Sequence, residues 1–245
     1  MVSKNQIKLI TSLKQKKYRQ KYGLFFAEGT KVISEFYKSD WKLQTLFSTN
    51  MLPFISENKT AIISETELKK ISALKTPQDA LAVFHLPENF SLSVKNEFTV
   101  VLDSIQDPGN LGTIIRLCDW FGVSQLICSL DTADCFNPKV VQASMGSLAR
   151  VKVVYTGLEA YLSAKNNLPV YGAFMNGKTI YKQQLPENAV LVLGNEGKGI
   201  SSQVEKFVSQ KITIPQFGKH QLTESLNVAT AAAIILSEFH RAIEK

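Results

Sequence analysis

The stretch VLVLGNEGKGIS, residues 190–201, joins an apolar run to a loop with three glycines in six residues. The apolar residues 190–193 predict a buried β-strand. The glycines after this strand allow the backbone to pass close to a ligand, because they carry no side chain. A phosphate-binding P-loop needs glycine where Val192 stands and Ser or Thr where Gly199 stands, so this loop is not a P-loop. The stretch therefore predicts a strand that ends in a ligand-binding loop of another kind.

Strands and helices alternate over the rest of the second half of the chain. Apolar and β-branched runs predict six strands, at residues 100–102, 125–128, 151–154, 170–173, 190–193 and 211–214. Helices are predicted at residues 111–121, from Pro138 onward, and at 226–242. This alternation predicts an open α/β domain with a parallel sheet, whose ligand sites lie beyond the carboxyl ends of the strands. No GxGxxG follows the first strand, so a dinucleotide-binding fold has no support.

The first 86 residues predict a smaller α/β domain with a largely parallel sheet. A capping box, Ser64 with Glu67, marks the start of one of its helices. Strands are predicted at residues 24–26, 45–47, 61–63 and 80–86, and helices at 5–20, 29–37 and 64–73. The polar segment 86–96 reads as a linker. We therefore expect two domains, residues 1–90 and 97–245.

Composition and charge restrict the class of protein. Hydrophobic residues make up 44% and charged residues 20%, values typical of a globular chain rather than a disordered one. Residues 1–40 hold nine Lys or Arg and three Asp or Glu, which is +6 of the formal net charge of +7. Such a basic end indicates either a polyanion partner or a solvated lysine-rich helix. Three cysteines without a CxxC pair predict neither disulfides nor a zinc site, and no membrane-length or signal-like apolar run is present, so we expect a cytoplasmic protein.

Two further stretches place polar residues at predicted strand ends. LDSIQDPGNLG, residues 102–112, leads into a helix that carries Asn110 near its start and Arg116 further along. A simple alternative is that Asn110 caps the helix and Arg116 is a solvated side chain. A functional role for Arg116 is favoured because its neighbours are apolar and the helix is expected to be half buried, where an arginine without a function would be costly. Ser225 and Asn227 open the alanine-rich last helix, where the alternative is capping by Ser225 with Asn227 merely exposed.

The three motifs N-x-x-x-x-x-R, G-N-E-G-x-G-I-S and I-P…S-L-N, in this order, resemble those of the SpoU-type methyltransferases of the SPOUT superfamily over residues 97–244. The resemblance implies an S-adenosylmethionine-dependent RNA ribose 2′-O-methyltransferase with a C-terminal trefoil knot, a homodimer and no metal. By matching motif positions it implies a reaction site of Asn110, Arg116, Glu196, Ser225 and Asn227. It likewise implies a cofactor pocket lined by Gly194, Ile214, Ser225 and Leu226.

The resemblance leaves several points open. Arg116 is expected to stabilise negative charge on the ribose 2′-oxygen, and the proton acceptor is not identified. The loop at residues 219–224 is longer than in many relatives. The N-terminal unit resembles, more loosely, the substrate-binding domain related to ribosomal protein L7Ae/L30e. There the candidates for phosphate contacts are Lys14, Lys16, Lys17, Arg19 and Lys21. Ribosomal RNA is the favoured substrate, with tRNA, or a non-catalytic RNA-binding role, as alternatives.

Overall fold

The computed structural model describes residues 1–87, 97–165, 167–218 and 224–241. The chain forms two compact units. The first holds the described residues of Met1–Asn89 together with Asp134–Arg150. The second holds the described residues of Phe90–Ala133 and Val151–Lys245. The division expected from the sequence follows chain order, whereas the segment Asp134–Arg150 lies in the first unit.

The elements follow the predicted alternation with adjusted ends. Up to residue 87 they are α1 (Lys4–Ser12), α2 (Lys16–Tyr22), β1 (Leu24–Glu28), α3 (Thr30–Lys38), β2 (Leu43–Ser48), β3 (Thr60–Ile62), α4 (Glu65–Ile71) and β4 (Ala80–His85). From residue 97 they are β5 (Thr99–Asp103), α5 (Pro108–Trp120), β6 (Gln125–Cys128), α6 (Pro138–Ala143), β7 (Lys152–Tyr155), α7 (Leu158–Ser163), β8 (Val170–Thr179), β9 (Val190–Gly194), α8 (Ser202–Glu205), β10 (Gln210–Thr213) and α9 (Val228–Arg241). The helix predicted at residues 5–20 is two helices, and β8 extends well past the predicted end.

The sheet of the first unit is mixed, so the prediction of a largely parallel sheet was wrong there. Its strand order is β1-β4-β2-β3. β2 pairs with β3 in parallel, but β4 pairs antiparallel with both β1 and β2. The helical crossover through α3 does make β1 and β2 point the same way. It leaves a gap between them, and β4 fills this gap in the opposite direction. Alternation of strands and helices therefore predicted the direction of three strands and missed the fourth.

An aromatic cluster explains why the segment Asp134–Arg150 belongs to the first unit. Phe136 packs against Phe25 at a ring-centroid distance of 4.9 Å and against Trp41 at 6.0 Å. The Trp41 indole Nε1 donates to the carbonyl of Ala149 at 3.1 Å. The guanidinium of Arg150 pairs with Glu35 on α3. Buried aromatic area of this kind contributes strongly to stability, and sequence order alone does not reveal which unit it joins.

The second unit is built on a six-stranded sheet of order β10-β8-β9-β5-β6-β7. Every pairing in it is parallel, as predicted; Thr99 on β5, for example, lies opposite Val190 on β9. β5, β6 and β9 are buried along almost their whole length, and so are the first three residues of β8. Such burial is typical of a parallel sheet covered by helices. The carboxyl ends of these strands meet at one edge, where the loops of the three sequence motifs begin.

Local sequence signals start several helices of the two units. The Asp107 side chain caps α5 by accepting from the backbone N–H of Asn110 at 2.8 Å, and Pro108 occupies the first turn. α6 begins in the same way, with Asn137 as the cap and Pro138 after it. Asn110 therefore lies in the first turn of α5 rather than at its cap. The capping box of Ser64 and Glu67 on α4 is confirmed.

Candidate active site at the carboxyl edge of the parallel sheet

A cavity of about 810 Å³ opens at the carboxyl ends of β9 and β10, beside the middle of β8. Its walls come from the glycine loop after β9, the segment after β10 and the start of α9. All four residues predicted to line a cofactor pocket contribute to this cavity: Gly194, Ile214, Ser225 and Leu226. Residues 219–223, which cover most of the longer loop, lie outside the described residues. The volume falls within the range of small-molecule sites, about 300–1,000 Å³.

The glycine loop turns back tightly on the end of β9. Asn195 and Gly199 form an isolated antiparallel bridge, with N–H to carbonyl distances of 3.0 and 2.9 Å. A Cβ on Gly194 would lie 2.3 Å from backbone atoms of Gly199 and Ile200, closer than real Cβ contacts come. The side chain of Asn195 accepts from the N–H groups of Gly197 and Lys198, both at 3.0 Å. Glycine at position 194 is therefore required by close approach of the chain's own backbone, whereas the sequence predicted close approach to a ligand.

A polar cluster below the loop holds it in place, and sequence reasoning missed it. The amide of Asn195 donates to the carbonyl of Ser104 at 2.7 Å. Ser104 has a left-handed backbone with φ of 61°. Its N–H donates to the Ser129 hydroxyl at 2.8 Å, its own hydroxyl donates to Asp131, and the Ser129 hydroxyl donates to Asp131 at 2.6 Å. Left-handed geometry at a non-glycine residue costs free energy and persists only where surroundings enforce it.

Asp131 is the acceptor at the base of this cluster. The hydroxyl of Ser104, and then that of Ser129, hold the pKa of Asp131 below its usual value because both donate to its carboxylate. The available sequence signal was Ser129-x-Asp131 at the end of β6, the neighbour of β5 in the sheet. Such a signal is weak without knowing which strand lies beside which.

Three predicted site residues form one hydrogen-bonded chain. The Asn227 amide donates to the Asn110 side-chain oxygen at 2.8 Å, and the Asn110 amide donates to the Glu196 carboxylate at 2.9 Å. These residues are 117 and 86 positions apart in the sequence. Each amide has both its donor and its acceptor engaged, because the Asn227 oxygen accepts from the N–H groups of Ala229 and Thr230. The chain therefore fixes the orientation of all three side chains.

The contacts of Asn227 correct the expectation for the last helix. α9 begins at Val228, and the Asn227 oxygen accepts from the second and third N–H groups of its first turn, at 3.0 and 3.2 Å. Asn227 is therefore the cap, a role expected of Ser225. Ser225 lies two residues before it, too far back to cap, and lines the cavity instead.

Arg116 lies apart from this chain. It is exposed on α5, whose opposite face is buried as expected of a half-buried helix, so burial does not argue that Arg116 is functional. It follows Asn110 by six residues, which turns its side chain about 120° around the helix from that of Asn110. Within the described ranges it makes no hydrogen bond or ion pair. One unit of one chain thus brings Asn110, Glu196 and Asn227 together and leaves Arg116 facing outward.

The predicted phosphate contacts of the first unit divide into two groups. Lys16, Lys17 and Lys21 are exposed, as is Lys14, whose ammonium donates to the carbonyl of Ser72 at 2.9 Å. Arg19 is only 2% exposed. Its guanidinium donates to the carbonyl of Leu13 at 2.7 Å and pairs with Asp134 at 2.5 Å, so it is not available to a phosphate. A buried charge needs such partners, and those of the Arg19 guanidinium both lie in the first unit.

None of the helices that the structure describes is both long and apolar enough to cross a bilayer. Among the same residues, no three His, Cys, Asp or Glu side chains gather where they could hold a metal ion.

Comparison with known families identifies the second half of the chain. The SpoU rRNA Methylase family matches residues 97–237, more than half of the sequence. This chain belongs to the SpoU rRNA methylase family. The MRM3-like substrate binding domain matches residues 4–82. The order of the two matches agrees with the resemblances drawn from the three motifs and from the basic N-terminal unit.

Relatives of this SpoU family member match over nearly its full length. It is 32% identical over 242 residues to the 23S rRNA (guanosine(2553)-2′-O)-methyltransferase RlmP of Bacillus subtilis (strain 168), covering 96% of each chain. A TrmH-family protein from Porphyromonas gingivalis has a solved structure with a TM-score of 0.88 and 40% identity, covering 98% of this chain and 99% of that one. An AdoMet-bound rRNA methyltransferase from Sinorhizobium meliloti has a TM-score of 0.85 and 28% identity, covering 98% and 97%.

Proposed function

We propose that this SpoU family member is an S-adenosylmethionine-dependent methyltransferase that modifies the ribose 2′-oxygen of ribosomal RNA. The observation that carries the proposal is the hydrogen-bonded chain Asn227–Asn110–Glu196, which ends on a residue of the cavity wall. Membership of the SpoU rRNA methylase family supports the reaction. The Bacillus subtilis relative, a 23S rRNA 2′-O-methyltransferase, supports the substrate, and the AdoMet-bound enzyme from Sinorhizobium meliloti supports the cofactor.

The cavity fits S-adenosylmethionine in size and chemistry. Ile214, Leu226 and Val228 provide apolar walls for an adenine ring, and backbone groups of the glycine loop provide donors and acceptors. The carboxylates of Glu196 and Glu224 also line the cavity, and negative charge there favours a cationic sulfonium. We assign Gly194, Ile214, Ser225 and Leu226 to cofactor binding. When bound, the cofactor supplies a methyl carbon that the ribose oxygen attacks in line while the carbon–sulfur bond breaks.

The residues of this chain orient the ribose and stabilise charge. Glu196 stands at the cavity wall with its carboxylate held by Asn110, and Asn227 holds Asn110 in turn. Such a pre-oriented chain places polar atoms around the ribose without reorganisation during the reaction. Arg116 donates to the 2′-oxygen as its proton leaves and negative charge develops. A guanidinium stays protonated in proteins, so Arg116 serves as a donor and the proton goes elsewhere, for which the substrate phosphate is a candidate.

In a homodimer formed through the second unit, Arg116 of one copy would approach the cavity of the other copy. Thr113, Arg116 and Trp120 are exposed and follow one another at helical spacing along one face of α5. Trp120 is 83% exposed, a large apolar side chain that is enriched at protein interfaces. We propose that this face of α5 meets a second copy of the chain. In sedimentation experiments the wild type is then a dimer and Trp120→Glu a monomer; a monomeric wild type contradicts this.

Three further features belong to the same proposal. The family implies a trefoil knot in the C-terminal part, formed where the chain passes from β9 through β10 to α9. All three cysteines are buried, and we propose a cytoplasmic location for the protein. Domain boundaries at residues 90 and 97 agree with the family matches at 4–82 and 97–237.

The test uses methyl-labelled S-adenosylmethionine with unmodified total rRNA and, separately, tRNA. Label in rRNA that survives alkaline hydrolysis within an undigested dinucleotide is the expected result. Arg116→Ala is expected to lower turnover by about 100-fold or more, the usual effect of removing one charge-stabilising donor, with cofactor affinity unchanged. Lys152→Ala, which removes an exposed cation of β7 in the same unit, is the matched control and keeps full activity.

Each other outcome separates the alternatives. Label in tRNA alone makes tRNA the substrate. Cofactor affinity without label in either RNA points to an assembly intermediate as substrate. Absence of both label and cofactor affinity leaves a non-catalytic RNA-binding protein, and normal turnover of Arg116→Ala removes the role given to that residue.

A further inference from the structure

Helix α2 presents two adjacent rows of side chains, one aromatic and one basic. Tyr18 and Tyr22 are four residues apart and share one face, and Lys17 and Lys21 form the neighbouring row. The two rings are nearly parallel, with centroids 6.2 Å apart and planes inclined by 13°. The ammonium of Lys17 lies 4.9 Å from the Tyr18 centroid, and that of Lys21 lies 5.6 Å from the Tyr22 centroid. The rings and charges therefore form one combined surface.

This surface is open to a ligand. Tyr22 is 43% exposed and Tyr18 is half-buried. Neither phenol hydroxyl makes a hydrogen bond to the described residues. An exposed cation–π contact is worth only about 0.5–1 kcal/mol, so a lysine exchanges its ring for a phosphate at little cost. The rings are then free to receive another flat group.

The packing of α2 does not depend on the tyrosine pair. Arg19 holds the helix from its buried side through the Leu13 carbonyl and Asp134. An aromatic pair four residues apart adds only about 0.2–0.5 kcal/mol to a helix. A structural role therefore explains Arg19 but leaves the exposed, parallel rings without a function.

The chemistry of the surface identifies the ligand class. Successive nucleotides offer a flat base and a phosphate side by side, matching an aromatic row beside a basic row. Paired bases in an A-form helix have both faces covered by their neighbours, whereas unpaired bases are free to stack on aromatic side chains. Peptides with acidic residues would satisfy the lysines but not the parallel rings.

We propose that Tyr18 and Tyr22 form a stacking surface for an unpaired RNA nucleotide whose flanking phosphates bind Lys17 and Lys21. The inference rests on the proposed function and deepens it, because it restricts the substrate to RNA that contains an unpaired nucleotide. The tyrosines contact the base and the lysines position the backbone.

The experiment measures binding of the full-length protein to two labelled probes. One is an unstructured single-stranded RNA 12-mer with a central 2-aminopurine, whose fluorescence falls on stacking, and the other is a blunt-ended RNA duplex of equal length in which every base is paired. Tyr22→Leu keeps an apolar side chain without an aromatic face, and Tyr22→Phe keeps the ring. Tyr181→Leu is the matched control, because Tyr181 is also 43% exposed and lies in the other unit.

Tyr22→Leu is expected to weaken single-strand binding about ten- to a hundredfold and to abolish the 2-aminopurine quenching, as expected when one base loses its aromatic partner. Tyr22→Phe and Tyr181→Leu bind as the wild type does, and affinity for the fully paired duplex stays unchanged in all three variants. Lys17→Gln with Lys21→Gln lowers the slope of log affinity against log salt by about 1.4, whereas Tyr22→Leu leaves it unchanged.

The proposal is overturned if Tyr22→Leu binds the single strand normally, or loses both probes equally. Circular dichroism of each variant shows whether a loss of binding reflects a loss of fold. Failure of the proposed function is recognised separately: a wild type that binds and quenches the single strand but transfers no label from S-adenosylmethionine retains the stacking surface without the enzyme.

Discussion

Replacing Gly194 by alanine tests whether the backbone geometry of the glycine loop forms the cofactor site. The added Cβ would lie 2.3 Å from the Gly199 carbonyl carbon and the Ile200 nitrogen, and 2.6 Å from the Gly199 oxygen. All three are backbone atoms, so no flexible side chain can give way. The loop must move outward by about 1 Å to restore ordinary contact, a distance that breaks well-formed hydrogen bonds.

The magnitude follows from the two bonds of the Asn195–Gly199 bridge, at 3.0 and 2.9 Å. Each contributes about 0.5–1.5 kcal/mol, so their loss costs the loop about 2 kcal/mol. If the bound state requires the closed loop, S-adenosylmethionine binds about 30-fold more weakly. Isothermal titration calorimetry measures this directly on the purified variant.

Gly197→Ala is the matched control, because its Cβ would meet only the Asn195 side-chain oxygen at 3.7 Å, an ordinary contact. Alanine there also keeps the N–H that donates to Asn195. We expect wild-type affinity for this variant. Equal cofactor affinity of Gly194→Ala and the wild type would refute the reasoning, and an equal loss in both variants would show that the loop tolerates no side chain for some other reason.

Three more predictions concern the supporting contacts. Arg19→Ala leaves Asp134 without its buried partner and is expected to lower the free energy of unfolding by about 3 kcal/mol in urea titrations. Arg19→Lys restores little of this stability, because one ammonium does not span both the Leu13 carbonyl and Asp134. Unchanged stability of Arg19→Ala would contradict the structural role of Arg19. Asp131 has a lowered pKa in the folded protein, so its carboxylate stabilises the fold above its unfolded pKa of about 3.9, and this contribution disappears as the pH falls through the folded pKa. The difference in melting temperature between the wild type and Asp131→Asn is therefore expected to narrow from pH 6 towards pH 3. A difference that stays constant over this range would argue against the contacts of Asp131 with Ser104 and Ser129. Asn110→Ala is expected to lower turnover about ten- to a hundredfold without changing cofactor affinity, since Asn110 does not line the cavity. Asn227→Ala is expected to have the same effect on turnover and also to lower the free energy of unfolding by about 1 kcal/mol, because it removes the cap of α9. Equal melting temperatures of the two variants would exclude the cap.

Much of the site was predictable because its signals are local. The tight loop with glycines at 194, 197 and 199 follows from a short-range rule about backbone freedom. The helix predicted at residues 111–121 is present as α5, although it begins three residues earlier, at Pro108. A parallel sheet also places strand ends at one edge, which is why motifs distant in sequence were expected together. The chain from Asn227 through Asn110 to Glu196 shows that they meet.

Other residues were not predictable because their partners are distant in the sequence. Arg19 stands in a run of lysines, and only its contact with Asp134, 115 residues later, shows that it is buried rather than free for RNA. The exposure of Arg116 depends on which face of α5 packs on the sheet. The support of Asn195 by Ser104 depends on β5 lying between β6 and β9.

The sequence by itself determined the alternation of strands and helices, the family motifs and the glycine loop, because each rests on interactions within a few residues. Tertiary structure alone decided that β4 runs antiparallel and that the segment Asp134–Arg150 joins the first unit. The physical reason is that burial and the choice of neighbouring strands are set by packing, which selects among several arrangements that local preferences permit equally.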